Sequence, residues 1–116
     1  MNEKLEISCF QIISHAGTAR SDYIRAITLA EEGKFDEALA MISAGEQEYM
    51  LSHKAHSDII ELEESGKLRD ANLLIIHSED QMMSVETFKV MAEKFISLYQ
   101  KLEMGCNSDK QKGCNG

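Results

Sequence analysis

The absence of proline is the feature that most restricts how this chain can fold. None of its 116 residues is proline, so no position loses its backbone N–H donor or introduces the ring clash that breaks a helix. Alanine, leucine, glutamate, lysine and methionine are frequent, and all of them favour helix. No stretch alternates in the manner of a strand. The sequence therefore predicts an all-α fold.

Hydrophobic periodicity divides the chain into three long helices. The first ends at Gly33, which suits a helix C-cap, and the second covers about residues 35–65. The third covers about residues 71–102, with Asp70 as its N-cap. Because the connections are short, we expect an antiparallel three-helix bundle of the spectrin-repeat type.

Apolar residues recur at three- and four-residue steps in the first two helices and give the candidate core. In the first helix these are Leu5, Cys9, Ile12, Ala16, Ala19, Tyr23, Ala26 and Ala30. In the second they are Phe35, Ala38, Ile42, Gly45, Tyr49, His56 and Ile59.

The third helix carries two adjacent stripes, which one hairpin partner cannot easily cover. The first is a heptad seam, Leu74, His77, Gln81, Ser84, Phe88, Met91, Phe95, Leu98 and Leu102. The second is Leu73, Ile76, Asp80, Met83, Thr87 and Val90. The second stripe predicts self-association around this helix. The alternative is one wide stripe that packs on both other helices of the same subunit.

Charge and hydropathy exclude several classes of partner. The formal net charge is −8, which argues against nucleic acid or an anionic membrane as a partner. No apolar run approaches the roughly 18 residues that cross a bilayer, so no membrane insertion is expected. The N-terminus MNEKLEIS lacks the apolar region of a signal peptide. We therefore expect a cytoplasmic protein.

The three cysteines do not indicate a disulfide framework. Cys9 lies among apolar residues and is expected to be a buried thiol. Cys106 and Cys114 lie in a polar, glycine-containing stretch that cannot build a core, and their spacing without a nearby histidine is a poor zinc pattern. We expect one helical domain over residues 1–104 and a flexible tail over residues 105–116.

Polar residues interrupt the apolar seam in the segment LLIIHSEDQMM. At about 100° per residue, Asp80 and Gln81 are the neighbours of His77 on the helix surface, whereas Glu79 lies about 160° away. A histidine there has three interpretations: a hydrogen-bonded core residue, a metal ligand, or a nucleophile that carries a group. Asp80 on an apolar stripe needs a donor, a cation or its own symmetry mates.

Other polar residues are less informative. Short connections place His53 and His56 at the height of residues 79–82, and a metal site on this pair would lack a nearby third ligand. Arg20 and Arg25 are interpreted as solvated surface cations. Gly17 falls within a helix, where it serves either close helix contact or access to a site. No phosphate-binding loop, zinc-protease motif or nucleophile elbow is present.

Four segments in sequence resemble a known family. FQIISHAGTARS, AEEGKFDEA, LSHKAHSDII and LLIIHSEDQMM look like the enzyme IIA component of the lactose/cellobiose (chitobiose) branch of the bacterial sugar phosphotransferase system. The resemblance covers about residues 5–102, in order and with matching helix lengths. The stretch after Leu102 lies outside it.

The resemblance implies a three-helix subunit that assembles as a homotrimer and carries phosphate on a histidine. By this resemblance His77 accepts phosphate from the phosphocarrier HPr and passes it to a cysteine of enzyme IIB. Asp80 is then the aspartate that clusters on the trimer axis around a divalent cation, with Mg²⁺ the expected ion. His53 matches a family histidine, and it is expected to support the site together with His56.

Two positions depart from the pattern of the family. Glu79 stands where the family has glutamine, and Gln81 stands where it has a second histidine. Both are expected to support the site, although Glu79 could repel an incoming phosphate if it approaches a neighbouring subunit. The competing hypothesis is a non-catalytic helical oligomerisation or adaptor module derived from that family. The transported sugar is not encoded here, because this component does not contact it.

Overall fold

A computed structural model of the protein contains three helices. They are α1 (Glu3–Glu31), α2 (Phe35–Glu64) and α3 (Leu73–Lys110). The structure describes the backbone of residues 3–66 and 73–110, and the side chains up to residue 105. The prediction of an all-α three-helix bundle is confirmed. The predicted N-cap at Asp70 lies outside the described residues.

A tight turn reverses the chain between α1 and α2. Gly33 has a φ of 81°, in the left-handed region that glycine adopts without a steric penalty. Its backbone N–H donates to the Ala30 carbonyl at 3.0 Å, and the Lys34 N–H donates to the Leu29 carbonyl at 2.9 Å. These bonds satisfy carbonyls that the helix end would otherwise leave free. Gly33 therefore ends α1, as predicted.

The third helix runs parallel to α1 and antiparallel to α2, and α1 contacts both partners extensively. The side-chain pairs that define this arrangement are Arg20 with Gln81, Glu31 with Tyr99, and His56 with Glu79. The first two pairs rise together along α1 and α3, whereas the third joins the descending α2 to α3. The result is an up-down-up bundle, 67 Å long and 18 Å across.

The core positions predicted on α1 are all buried. On α2 the prediction is largely confirmed, with Phe35, Tyr49 and His56 only partly buried. The two helices approach closely at Gly45, where a Cβ atom would lie 2.5 Å from Cε1 of Tyr23. At Gly17 a Cβ atom would meet nothing within 4 Å. Close contact within the chain therefore requires glycine at position 45, and not at Gly17.

On α3 the predicted seam is displaced by one residue from the true core face. The buried residues are Ile75, Ser78, Met82, Val85, Ala92 and Ile96, each one position after a seam residue. Of the seam, Met91 and Leu98 are about half exposed. The prediction was wrong because several of the buried side chains are small or polar, while larger apolar ones occupy the flanks of the helix.

The second stripe of α3 is exposed along its whole length. We call Leu73, Ile76, Asp80, Met83, Thr87 and Val90 the outer stripe. Leu73 is 81% exposed and Met83 is 67% exposed. At about 100° per residue the outer stripe lies nearly opposite the buried face. The alternative of one wide stripe covered by the other two helices is therefore wrong.

The last turns of α3 extend beyond the other two helices. Tyr99 bonds to Glu31, the final residue of α1, and α3 continues to Lys110. The helix was predicted to end near Leu102, but no proline or unfavourable turn follows to stop it. The flexibility predicted for the tail stays a prediction. Within residues 3–66 and 73–110, no helix is long and apolar enough to cross a membrane.

Candidate functional site

His77 lies in the second turn of α3 and its side chain is exposed. It borders a shallow depression that Leu73 and Leu74 complete. It forms no hydrogen bond or ion pair with another described residue. The interpretation of His77 as a hydrogen-bonded core histidine is therefore wrong. A neutral imidazole in this position keeps a free nitrogen lone pair that a docking protein can reach.

Asp80 is also exposed and lies on the outer stripe, between Ile76 and Met83. It was expected to be a local partner of His77, but no hydrogen bond joins them. Nor does Asp80 form an ion pair within the described part of the chain. If this largely apolar surface were covered, the carboxylate would lose its hydration and would need a compensating cation or hydrogen-bond donor.

Gln81 faces α1. Its Oε1 accepts a hydrogen bond of 2.8 Å from Nη1 of Arg20, and both side chains are half-buried. Because His77 lies one helical turn before Gln81 on the same face, it shares this side of α3. We call His77, Gln81 and Arg20 the α1 flank. Gln81 was expected to be a partner of His77, but its carbonyl oxygen bonds Arg20 instead.

The opposite side of α3 faces α2. Glu79 Oε1 lies 3.0 Å from Nε2 of His56, and one carboxylate oxygen of Glu86 accepts a hydrogen bond from the Tyr49 hydroxyl. We call these four residues the α2 flank. The acidic substitution at Glu79 is thus matched by a histidine on α2. This confirms that Glu79 points away from His77 of its own chain.

The other three histidines do not lie on the α1 flank of α3. The exposed His53 ring makes edge contacts with Tyr49 and His56, at centroid distances of 6.3 and 6.5 Å. His15 Nδ1 lies 2.7 Å from Oε2 of Glu48, between α1 and α2. The predicted height of His56 is confirmed by its contact with Glu79. Within one chain, however, no contact joins His53 or His56 to His77.

The described residues contain no group of three histidine, cysteine, aspartate or glutamate side chains that could hold a metal within one chain. A metal at Asp80 would therefore need carboxylates from several copies. The expectation that Cys9 is a buried thiol is confirmed. Burial raises its pKa, although a contact with the buried Ser78 acts in the opposite direction. A thiol in this state is a poor nucleophile at neutral pH.

Arg20 is the residue of this region that sequence reasoning missed. It was interpreted as a surface cation like Arg25, yet only Arg25 is exposed. The signal was present: Arg20 follows the core residue Ala19 directly, which places it at the edge of the packed face of α1. What the sequence lacked was the alignment of α1 with α3 that brings Arg20 to Gln81.

Comparison with known proteins gives consistent matches. The sequence model described as "PTS system, Lactose/Cellobiose specific IIA subunit" matches residues 7–100. A lichenan-specific phosphotransferase enzyme IIA component of Bacillus subtilis (strain 168) is 35% identical over 102 residues, 88% of this chain and 93% of that protein. An oligo-beta-mannoside-specific EIIA component of the same organism is 36% identical, over 78% of this chain and 83% of the relative.

A solved structure agrees with these sequence matches. The crystal structure of the PTS cellobiose specific enzyme IIA from Bacillus anthracis superimposes with a TM-score of 0.84 and 33% identity. The match covers 90% of this chain and 95% of that one. The similarity therefore extends over the three helices and includes the segment that bears His77.

Proposed function

Since this chain belongs to the lactose/cellobiose-specific IIA family of the sugar phosphotransferase system, we propose that His77 is its phosphoryl acceptor. Membership of this family supports a phosphocarrier role. The individual phosphate-transfer steps are inferred from the exposure and surroundings of His77. The observation that carries the proposal is the exposed, unbonded ring of His77 at the edge of a shallow apolar depression. Such a ring is open to a donor protein without rearrangement of the bundle.

The first step is transfer from the phosphohistidine of HPr. A lone pair on a nitrogen of neutral His77 forms a new N–P bond while the N–P bond to the donor breaks. The donor ring, protonated on its other nitrogen, leaves as neutral imidazole with the electron pair of the broken bond. The N–H proton of His77 stays on the nitrogen that did not attack. Catalysis comes from in-line positioning and from stabilisation of the phosphoryl charge.

The second step passes the group to enzyme IIB. The thiolate of its cysteine attacks phosphorus, an S–P bond forms, and the N–P bond to His77 breaks. His77 leaves as neutral imidazole and is ready for another cycle. Because the two partners must reach the same ring in turn, the surface around His77 has to remain uncovered.

The sugar would be one of the β-linked glycosides that the relatives' names indicate. A cytoplasmic location stays a prediction.

We further propose that three copies assemble through the outer stripe. Its exposed apolar residues lie nearly opposite the core, so a second hydrophobic contact is available without disturbing the first. Asp80 would then be brought together with its symmetry mates, and the resulting carboxylates suit a hard divalent cation such as Mg²⁺. When bound, the cation would neutralise the clustered carboxylates in the assembly.

Phosphate uptake tests the proposed acceptor. Incubation with phosphoenolpyruvate, enzyme I and HPr should add one acid-labile phosphate per chain. His77→Ala should abolish uptake, whereas His53→Ala should retain it because His53 has no contact with His77. Uptake by His77→Ala would refute the assignment. No uptake by the wild-type chain would favour the adaptor hypothesis, which the exposed outer stripe also fits.

Sedimentation tests the assembly separately. The wild-type chain should be trimeric at micromolar concentration. Asp80→Leu should retain or strengthen the trimer, because it replaces a desolvated carboxylate with an apolar side chain. The same substitution should remove any metal that copurifies with the protein. A wild-type monomer would contradict the role given to the outer stripe.

A further inference from the structure

We propose that Arg20 binds the phosphoryl group carried by His77, and that Gln81 holds its guanidinium in place. This inference rests on the proposed function, because it takes His77 as the acceptor. It assigns a role to the TAR segment of α1, which the assignment of His77 does not explain. Arg20 would be a catalytic residue, since its N–H groups would touch the transferred group.

The first argument is position. Arg20 Nη1 donates to Oε1 of Gln81 at 2.8 Å, and Gln81 lies one turn after His77 on the same face of α3. Residues four apart on a helix have Cβ atoms about 6 Å apart. A phosphoryl group on His77 extends beyond the ring, so its oxygens come within reach of a guanidinium anchored one turn away.

The second argument is free donor capacity. A guanidinium has five N–H donors in a planar fork that matches phosphate geometry. Arg20 forms one hydrogen bond, to a neutral amide, and pairs with no carboxylate within the part of the chain that the structure describes. By contrast Lys89, further along α3, is paired with Glu46 at 2.6 Å. Arg20 is therefore half-buried with its charge not neutralised.

The third argument is electrostatic. The chain carries a net charge of −8, and Glu79 and Asp80 follow His77 closely in the sequence. A phosphoryl dianion brought to this region needs a cation, and charge-assisted bonds from arginine to phosphate are among the strongest available. The hydrogen bond to Gln81 holds the guanidinium in position before the phosphoryl group arrives, which reduces the entropy lost on binding it.

The chain supplies a matched control for the test. Arg20→Gln and Arg25→Gln remove the same charge from the same helix, but Arg25 is exposed and forms no hydrogen bond or ion pair with the described residues of α3. Single-turnover transfer from phospho-HPr should slow about 10- to 100-fold in Arg20→Gln at saturating donor. This is less than the roughly 100- to 1,000-fold loss for a donor in a water-excluded oxyanion hole, because Arg20 is only half-buried. Arg25→Gln should stay within about twofold of the wild type.

A second measurement distinguishes direct contact from a structural role. In the phosphorylated protein, a ³¹P NMR titration follows protonation of the phosphoryl group. Loss of a bound guanidinium should raise the titration midpoint in Arg20→Gln and leave it unchanged in Arg25→Gln. A merely structural link between α1 and α3 would lower thermal stability without moving the midpoint, and that result would overturn the proposal.

Two outcomes must be kept apart. If wild-type protein acquires no phosphate, the proposed function fails, and the role of Arg20 fails with it. If the wild type is phosphorylated and Arg20→Gln matches Arg25→Gln in rate and midpoint, only the inference about Arg20 fails. Should Arg20→Gln not fold, Arg20→Lys against Arg25→Lys decides the question. Loss of the planar fork should slow the former at least about threefold, and equal rates would overturn the proposal.

Discussion

The two flanks of α3 differ in whether their charged side chains are paired. On the α2 flank both carboxylates have partners: Glu79 contacts His56, and Glu86 accepts a hydrogen bond from Tyr49. On the α1 flank, within the described part of the chain, Arg20 bonds only to the amide of Gln81, and His77 forms no hydrogen bond or ion pair. The carboxylates of the α2 flank are thus paired, whereas the α1 flank has an exposed histidine and a cation that no carboxylate neutralises. The acidic substitution at position 79 does not reach the α1 flank of its own chain.

The largest effect should follow when a carboxylate is moved to the α1 flank. Gln81→Glu would pair with Arg20 and repel the incoming phosphoryl group, slowing transfer about 10- to 100-fold, which corresponds to roughly 1.4–2.7 kcal/mol of barrier. Gln100→Glu makes the same charge change about five turns further along α3 and should leave the rate unchanged. Equal rates for the two variants, measured in single turnovers, would remove the distinction between the flanks.

Alkaline unfolding tests the core that lies beneath both flanks. Tyr23 is fully buried, and its hydroxyl has no hydrogen-bond partner among the residues that the structure describes. Burial raises its pKa to about 12. The unfolded value is about 10. Ionisation of Tyr23 therefore has no effect on stability below about pH 10, and as pH rises from 10 to 12 the free energy of unfolding falls by up to about 2.7 kcal/mol.

The matched variant for this measurement is Tyr23→Phe. It should lack the fall in the free energy of unfolding that ionisation of Tyr23 causes at alkaline pH. Near neutral pH it should be as stable as the wild type or more stable by up to about 1 kcal/mol, because an unpaired buried hydroxyl is removed. Urea titrations at pH 8 and pH 11.5, at one protein concentration, give both values. Identical pH dependence in the two proteins would contradict the burial argument.

A smaller effect is expected at the hydrogen bond between Tyr49 and Glu86. Tyr49→Phe should reduce the free energy of unfolding by about 1 kcal/mol, since the lost bond has a charged acceptor but is exposed. Phosphate transfer should not change, because both residues lie on the α2 flank. A slowing of more than about threefold in the same single-turnover assay would show that this flank takes part in the chemistry.

The smallest effect is expected when the charged pair on the α2 flank becomes neutral. The double variant His56→Gln with Glu79→Gln should change stability by less than about 1 kcal/mol, the range for exposed ion pairs. Transfer should stay within about threefold. Acceleration beyond tenfold in the double variant, or in Glu79→Gln alone, would instead show that Glu79 of one subunit reaches the His77 of another.

The sequence predicted the core of α1 correctly and that of α3 one residue away. On α1 the apolar residues that recur at three- and four-residue steps coincide with the buried face, although Ile7, Phe10 and Ile24 lie outside it and are exposed. On α3 the buried face includes the small Ser78 and Ala92, while Met83 and Leu98 are exposed. The most hydrophobic residues of α3 therefore include residues that are exposed in the single chain. The hydrophobic periodicity predicted a helix correctly, but it did not identify which stripe of α3 packs in the core of the subunit.

The candidate site shows the same limit. The position of His77, and the orientation of Glu79 away from it, follow from helix geometry within one element. The pairs Arg20–Gln81 and His56–Glu79 depend on how separate helices align, which short loops fix only to within a turn or so. The packing of the helices thus places Arg20 on the α1 flank, and it places His56 away from the ring of His77, which it was expected to support.

The extension of α3 beyond α1 has a practical consequence for labelling. The end of this helix at Lys110 is 33 residues from His77, about 50 Å at 1.5 Å per residue. A fluorophore or affinity handle placed there would stand well clear of any docking protein. The same distance makes the helix end a suitable reference point for measuring, by energy transfer, how visiting proteins are oriented.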